Sequence, residues 1–169
     1  MSTNLDNEAR KYKRVIEKIK TGMMVTRYQS DNIKSRPMAT IKVDDNGDLW
    51  FFTNEFSEKA LEISGNNEVL ITYSHPTSND YIVVNGYASI VKDADKMKEL
   101  WQPVVRMWFP RGLHDTKLCL LKVEPYEVEY WSGSSNKFLV FFKMVSAMFS
   151  GDVYKIGEYG RFGLRSSLQ

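Results

Sequence analysis

Short β-rich segments with short connections dominate the sequence, and this spacing limits how the chain can fold. The Asn46-Gly47 pair, which is the strongest short hairpin signal in the chain, separates the second and third of these segments. Only one predicted helix interrupts the first five predicted strands, whereas parallel pairing needs a crossover between successive strands. The pattern therefore predicts a mainly β (α+β) fold, built as an antiparallel barrel with peripheral helices.

The predicted elements follow from hydrophobic periodicity and from turn and cap residues. Strands are expected at Met23–Tyr28, Ser35–Val43, Leu49–Thr53, Val69–Tyr73, Tyr81–Val91 and Lys117–Trp131. Helices are expected at Asn4–Lys20, Ser57–Ser64, Asp93–Trp101 and Asn136–Phe149. Because no repeat, low-complexity tract or linker interrupts them, we expect residues 1–169 to form a single domain.

Several single residues carry local predictions. Gly22 is expected to stop the first helix, and Ser57 and Asp93 are expected to cap the second and third helices. Gly86, inside a long strand, indicates a bulge or a close backbone approach. Pro125 is expected to break or bend the last long strand.

Composition excludes several classes of protein. A content of 43% hydrophobic and 26% charged residues is typical of a globular chain. The net charge is only +2, and acidic residues interrupt the basic N-terminal region, so we interpret that region as a solvated helix face rather than a nucleic-acid-binding patch. No secretory signal or membrane-spanning run is visible. We expect a cytoplasmic protein without nucleic-acid or membrane partners.

Metal and nucleophile chemistry find little support in the sequence. The single cysteine, Cys119, lies in an apolar run and is expected to be a small buried hydrophobe. Two histidines and one cysteine cannot build a zinc cluster of familiar spacing, and the acidic turn at residues 44–48 lacks the closing glutamate of a calcium loop. We predict no metal site. No acid–base residue is prominent, so the catalytic residues stay unassigned.

The start of the second predicted helix has the chemistry of an anion site. A helix N-terminus presents free backbone N–H groups and positive dipole potential, and Ser57 and Lys59 would add a hydroxyl and an ammonium group. Arg36, on the preceding hairpin, could add a bidentate cation. These residues favour a phosphate-monoester site. The same Ser-x-Lys spacing also fits an ordinary capped helix with a surface lysine.

A series of motifs extends this interpretation over most of the chain. In order they are Arg36-Pro37-Met38-Ala39-Thr40, Trp50-Phe51-Phe52-Thr53-Asn54, Ser57-Glu58-Lys59-Ala60, Asn66-Asn67-Glu68-Val69 and Tyr81–Val91. Together they resemble the FMN-binding segment of the pyridoxamine 5′-phosphate oxidase-like family. Leu100-Trp101-Gln102-Pro103, Trp108-Phe109-Pro110, Val123-Glu124-Pro125 and Glu129-Tyr130-Trp131 resemble its general stress protein 26 branch. The resemblance covers about Asn7 to Leu164.

This resemblance implies a split β-barrel that works as a homodimer and holds FMN, or FAD, in clefts between the subunits. Phosphate-side positions of the family are matched by Arg36, Ser57 and Lys59, and positions along the flavin ring or on the neighbouring strand by Met38, Ala39, Thr40, Phe52 and Thr53. Tyr81 matches a flavin-contacting position, and Trp101, Trp108 and Phe109 fall in the segment that reaches the flavin of the partner subunit. Trp131 is a further candidate for an aromatic wall of the site.

Some positions depart from the family pattern. Glu58 stands where the oxidases carry arginine, and the lysine expected near Ile41 is out of register, with Lys42 the nearest. The C-terminal segment that grips pyridoxamine phosphate in the oxidases has no counterpart, so vitamin B6 oxidation is not expected.

Three functions remain open from the sequence. The first is an FMN-dependent oxidoreductase with an unknown substrate, and the second is a non-catalytic flavin-binding stress protein that acts as a flavin buffer or sensor. The third is a homodimer whose cleft has lost the cofactor. The last predicted helix, residues 136–149, is apolar on almost every face and is expected to pack into the dimer or cover the open end of the barrel.

Overall fold

The computed structural model describes residues 12–28, 32–75, 77–132 and 158–163. Its strands are β1 (Thr21–Tyr28), β2 (Asn32–Ala39), β3 (Lys42–Val43), β4 (Leu49–Asn54), β5 (Glu68–His75), β6 (Asp80–Val91), β7 (Leu118–Ser132) and β8 (Glu158–Gly163). The helices are α1 (residues 12–19), α2 (Glu58–Gly65) and α3 (Ala94–Leu100), followed by 3₁₀ turns at Pro103–Met107 and Gly112–His114. The predicted helix at residues 136–149 lies outside the described residues.

The eight strands form one sheet in the order β2-β1-β5-β6-β7-β4-β3, with β8 beside β7. Every ladder between these strands is antiparallel, as predicted. The two edge strands, β2 and β3, are consecutive in the chain and belong to one extended segment. The sheet must therefore curl until its two edges lie next to each other along that segment. No ladder among the described strands closes the barrel. The predicted split β-barrel is therefore confirmed.

The expected single strand at residues 35–43 is wrong in one respect, because it is two strands. The backbone N–H of Thr40 donates to Lys20 O at 2.7 Å, next to β1, whereas that of Ile41 donates to Trp50 O at 2.8 Å, in β4. The chain stays extended, but its hydrogen-bond partner changes between these two residues. This change of partner produces the split.

Two layers of apolar side chains pack on either side of β4. Leu49 and Phe51 point into the barrel core, whereas Trp50 and Phe52 pack in a second cluster with Leu100 of α3. Because successive side chains in a strand point to opposite faces, burial of both sets means that β4 is covered on both sides. The barrel supplies one cover, and α3 with the first 3₁₀ turn supplies the other.

The start of the chain differs from the prediction at one glycine. Tyr12 and Ile16 of α1 pack on the core as expected, but the helix ends at residue 19, and Lys20 has the left-handed φ of +67°. Gly22 was expected to stop the helix and instead lies within β1. A Cβ there would lie 2.7 Å from Cε1 of Tyr73, so close packing explains the glycine.

The predicted turn and bulge are both present. The hairpin turn has Asp45 and Asn46 at its centre, and Gly47, with φ +84°, donates its N–H to Asp44 O at 3.1 Å. In β6 the register shifts between Asn85 and Gly86, and a Cβ on Gly86 would lie 2.7 Å from a backbone oxygen of β7. β7 runs on to Ser132, so the expected irregularity at Pro125 is a bulge and not a break.

Candidate functional site

A cleft of about 230 Å³ opens where the sheet splits. The ends of β1 and β2, the middle of β4, the first turn of α2 and the first 3₁₀ turn meet around it. Its lining residues are Thr21, Pro37, Met38, Ala39, Ile41, Phe52, Lys59, Val105, Trp108 and Phe109. The walls are mostly apolar, and Lys59 is the charged side chain among these lining residues. This composition matches that of small-molecule sites, which are apolar with a few polar groups.

A second, open cavity of about 600 Å³ adjoins this cleft. The two spaces share four lining residues: Thr21, Ala39, Ile41 and Trp108. They therefore form one groove beside the segment at Thr40–Ile41 where the hydrogen-bond partner changes. Ligand pockets in proteins commonly have volumes of about 300–1,000 Å³. The groove thus has the dimensions needed for a cofactor-sized molecule.

Lys59 is a partly buried cation at the start of α2. No carboxylate of a described residue lies within ion-pair distance of its ammonium group. Burial lowers the pKa of Lys59, and the positive charge of nearby Arg36 lowers it further. Two cations therefore lie close together without a full complement of anions, which is the electrostatic condition that an anionic ligand relieves.

Four buried side-chain polar atoms in the described part of the chain have no hydrogen-bond partner there. They are Nη1 of Arg36, Oγ1 of Thr53, Oγ of Ser57 and Oε1 of Glu62. Leaving a buried polar group unpaired costs about 1–3 kcal/mol, so such atoms rarely occur together without a reason. Ser57 occupies the N-cap position of α2, as predicted, but its side chain makes no cap hydrogen bond. Its hydroxyl is left for another partner.

Arg36 is held by a buried carboxylate of α2. Its Nη2 donates to Oε2 of Glu62 at 2.5 Å and to Oγ1 of Thr26 at 3.1 Å, and the Thr26 hydroxyl donates to the same Oε2 at 2.5 Å. Glu62 is 1% exposed. Burial alone would raise its pKa, but the bonds from Thr26 and Arg36 and the charge of Arg36 outweigh burial and lower it.

Sequence reasoning did not identify Glu62. It lies three residues after Lys59, and residues with this spacing share one face of a helix. That spacing was the available signal. A glutamate on a short helix is expected to be solvent-exposed unless its ion-pair partner is known. That partner, Arg36, lies on a strand 26 residues away in the sequence.

The aromatic residues predicted for the site divide into two groups. Phe52, Trp108 and Phe109 line the cleft, and Trp108 is 59% exposed. Trp101 does not line the cleft. It packs edge-on against Phe52 with ring centroids 5.5 Å apart, so it supports the wall from behind.

Three further predicted residues lie elsewhere. Tyr81 and Trp131 face each other across β6 and β7 in a separate small cavity near Tyr12. The hydroxyl of Thr40 lies 2.7 Å from that of Tyr73, and Thr40 lines the second cavity rather than the first. The cleft of a single protomer therefore brings together Met38, Ala39, Phe52, Lys59, Trp108 and Phe109. Arg36, Thr53 and Ser57 do not line the cleft. Arg36 lies near Lys59, and Ser57 is the N-cap of the helix that carries Lys59, so we call Arg36, Ser57 and Lys59 the polar end of the cleft.

Other chemistry is not evident in the part of the chain that the structure describes. These residues contain no group of three or more His, Cys, Asp or Glu placed to hold a metal ion. They also contain no helix long and apolar enough to span a bilayer. Cys119 is buried, as predicted, and burial raises the pKa of its thiol to about 11, so the thiolate is scarce at neutral pH.

Comparison with known proteins identifies the family. The sequence model described as pyridoxamine 5′-phosphate oxidase like matches residues 7–155. The chain belongs to this pyridoxamine 5′-phosphate oxidase-like family. Membership agrees with the split β-barrel and with the resemblance seen in the motifs.

Three individual proteins are similar to this chain of the pyridoxamine 5′-phosphate oxidase-like family. Protein bli-3 of Neurospora crassa is 34% identical over 101 residues, which is 57% of this chain and 48% of that protein, so the chain spans about half the length of this relative. A crystal structure assigned to general stress protein 26 of Jannaschia sp. CCS1 has a TM-score of 0.73 at 22% identity and covers 93% of this chain and 98% of its own. The general stress FMN/FAD binding protein of Xanthomonas citri has a TM-score of 0.65 at 21% identity, with 76% of this chain and 89% of that one covered.

Proposed function

We propose that this protein binds a flavin mononucleotide in the cleft at the split of the barrel. The observation that carries the proposal is the ammonium of Lys59, which has no ion-pair partner among the described residues, together with the buried Nη1 of Arg36 and Oγ of Ser57, which have no hydrogen-bond partner there. A phosphate monoester offers three acceptor oxygens and a charge of about −1.5 to −2, which would satisfy such donors. FAD remains the alternative cofactor.

The apolar part of the cleft suits the flavin ring. Phe52, Trp108 and Phe109 supply flat apolar walls, and the backbone of Met38–Ala39 runs along the lining. The Xanthomonas citri protein, described as FMN/FAD binding, shares this fold. When bound, the flavin would supply electron transfer, and the protein's residues would bind and orient it.

We further propose that the protein is an FMN-dependent oxidoreductase with an unidentified substrate. Lys59 is the titratable side chain among the cleft-lining residues, and no acid–base pair accompanies it there. The same observation favours a second candidate, a non-catalytic flavin buffer or sensor. Rapid anaerobic bleaching of the bound flavin by NADH or NADPH supports the oxidoreductase, whereas a flavin that stays oxidised with both donors supports the second candidate.

The proposed partner is a second copy of the chain. Val104 and Met107 of the first 3₁₀ turn and Trp108 just after it are 48%, 76% and 59% exposed, and Trp108 lines the cleft. Large exposed apolar side chains at the edge of a ligand site are typical of a surface that another molecule covers. In this proposal the second subunit completes the wall of the flavin site.

Titration of the ligand-free protein with FMN and riboflavin tests the proposed binding. FMN is expected to bind more tightly than riboflavin, because only FMN carries the phosphate. Lys59→Ala should weaken FMN binding about tenfold or more, since charged hydrogen bonds contribute about 1.5–3 kcal/mol, and leave riboflavin affinity unchanged.

Lys98→Ala is the matched control, because Lys98 is an exposed lysine of α3 that pairs with Asp95 on the same helix. It should not change either affinity. The flavin proposal fails if the parent protein binds neither FMN nor FAD, and the phosphate assignment fails if Lys59→Ala binds FMN as tightly as the parent.

A further inference from the structure

We infer that Glu62 is a positioning residue of the flavin-phosphate site, which it serves by fixing the guanidinium of Arg36. This inference rests on the proposed function. Glu62 belongs to α2, the helix whose first turn carries Ser57 and Lys59, whereas Arg36 belongs to β2. The carboxylate therefore connects the strand and the helix that form the polar end of the cleft.

The two terminal nitrogens of the Arg36 guanidinium differ in their hydrogen bonds. Nη2 donates to both Glu62 and Thr26, whereas Nη1 is buried and has no partner. An arginine side chain has several rotatable bonds, and its planar fork binds a phosphate well only when it is held in the right orientation. Anchoring through Nη2 leaves Nη1 without a partner among the described residues, and we assign this donor to the ligand.

The Thr26 hydroxyl completes a three-membered arrangement around Oε2 of Glu62. Thr26 donates to that oxygen at 2.5 Å and accepts from Nη2 of Arg36 at 3.1 Å. Both Thr26 and Glu62 are 1% exposed. This carboxylate is buried and accepts two hydrogen bonds through one oxygen, so it has little freedom to move. The guanidinium bonded to it is therefore also held in a fixed orientation.

The outer oxygen of Glu62 faces a different group. Lys34 Nζ lies 3.5 Å from Oε1, beyond hydrogen-bond geometry, and pairs more closely with the exposed Glu58. The Lys34–Glu58 pair lies on the surface side of α2 and is not needed for the anchoring of Arg36. The inference therefore concerns Oε2 and not the whole ion-pair network.

Binding data can distinguish an ion pair that only stabilises the fold from a glutamate that positions Arg36 for the phosphate. The informative quantity is the phosphate preference, defined as the ratio of the riboflavin and FMN dissociation constants for the same ligand-free variant. A loss of stability alone would alter both constants or neither. Only a change at the phosphate end changes the ratio.

Two substitutions at Glu62 form the experiment. Glu62→Leu removes the acceptor, and the phosphate preference should fall about tenfold while the riboflavin constant changes less than about twofold. Glu62→Gln keeps an oxygen that can accept from Arg36 and Thr26, so it should retain most of the preference. A parent-like ratio in Glu62→Leu overturns the inference, and so does an equal loss in both variants.

A double-variant cycle keeps the test decisive if Glu62→Leu folds poorly. Arg36→Ala with Glu62→Leu removes both members of the buried pair and leaves no uncompensated charge. Because Glu62 acts through Arg36, adding Glu62→Leu to Arg36→Ala should not lower the preference further. A further drop contradicts the inference. If the parent protein binds no flavin, the proposed function itself fails, which is a different result from a Glu62 variant that binds FMN like the parent.

Discussion

Glu62 carries a negative charge inside the protein, so part of the folding free energy must depend on pH. Hydrogen bonds from Thr26 and Arg36 lower its pKa below the ordinary value of 4.5. A carboxylate whose pKa is lower in the folded than in the unfolded state stabilises the fold fully above the unfolded value. That contribution is lost as the pH falls through the lower, folded-state pKa.

The first prediction concerns this single residue: in acid, the free energy of unfolding of Glu62→Gln should depend less on pH than that of the parent. Between about pH 6 and pH 3, the free energy of unfolding of the ligand-free parent should fall more steeply than that of the variant, because Gln does not titrate. Urea unfolding at several pH values measures the difference. Glu99→Gln is the control. Hydrogen bonds from Lys96 and Lys42 also lower the pKa of Glu99, but these pairs lie on the surface, where solvent screens them, so this variant should stay much closer to the parent than Glu62→Gln does. Parallel curves for the parent and Glu62→Gln would show that Glu62 does not contribute in this way.

The polar end of the site shows what residue-level reading can predict. Arg36, Ser57 and Lys59 were predicted from a helix start and a resemblance. In the structure Lys59 lines the cleft, Arg36 lies near it, and Ser57 is the N-cap of the same helix. Ser57 is the N-cap residue of α2 as predicted, but its hydroxyl makes no cap hydrogen bond, because that bond depends on a side-chain rotamer that spacing does not specify. Glu62 was not predicted because its partners, Thr26 and Arg36, lie on β1 and β2, far from α2 in the sequence.

At the scale of the element, β4 shows why strand prediction succeeded here. Residues 49–53 are all apolar or small, and all are buried, since the barrel core and the α3 layer cover opposite faces. A continuous apolar run of this length predicts a fully buried strand. The break between β2 and β3 escaped prediction because the backbone remains extended there and only its hydrogen-bond partner changes.

Phenylalanine substitutions in and beside β4 test this two-sided burial. Phe51 is fully buried, so Phe51→Ala should lower the free energy of unfolding by about 3–5 kcal/mol through lost burial and a cavity. Phe56, five residues on, is 70% exposed, and Phe56→Ala should change it by less than about 0.5 kcal/mol. Denaturant unfolding of both variants provides the comparison. Similar losses in the two would contradict the assigned burial.

At the scale of the whole molecule, the cleft depends on how the sheet curls. Its lining spans positions from Thr21 to Phe109, and these meet because one extended segment joins both edges of the sheet. Local sequence patterns predicted the antiparallel strands but not which residues would share a cavity. The resemblance and the aromatic-wall argument assign Tyr81 and Trp131 to the flavin. In the protomer they line another cavity, and their assignment stays a prediction.

The side chains of Met107 and Trp108 are exposed beside the cleft, and a second subunit is the occupant that we propose for this surface. Met107 tests this because it is 76% exposed on the same turn but does not line the cleft. Met107→Glu should shift the mass measured by light scattering from dimer towards protomer and weaken FMN binding in parallel, since a buried charge disfavours the interface. Ile33→Glu is the matched control: Ile33 is 63% exposed and lies six residues before Ala39 in β2, about 20 Å along the strand, so it should change neither quantity. A parent protein that is monomeric at micromolar concentration would overturn the dimer, and a monomeric Met107→Glu variant with undiminished FMN affinity would show that one protomer alone completes the site.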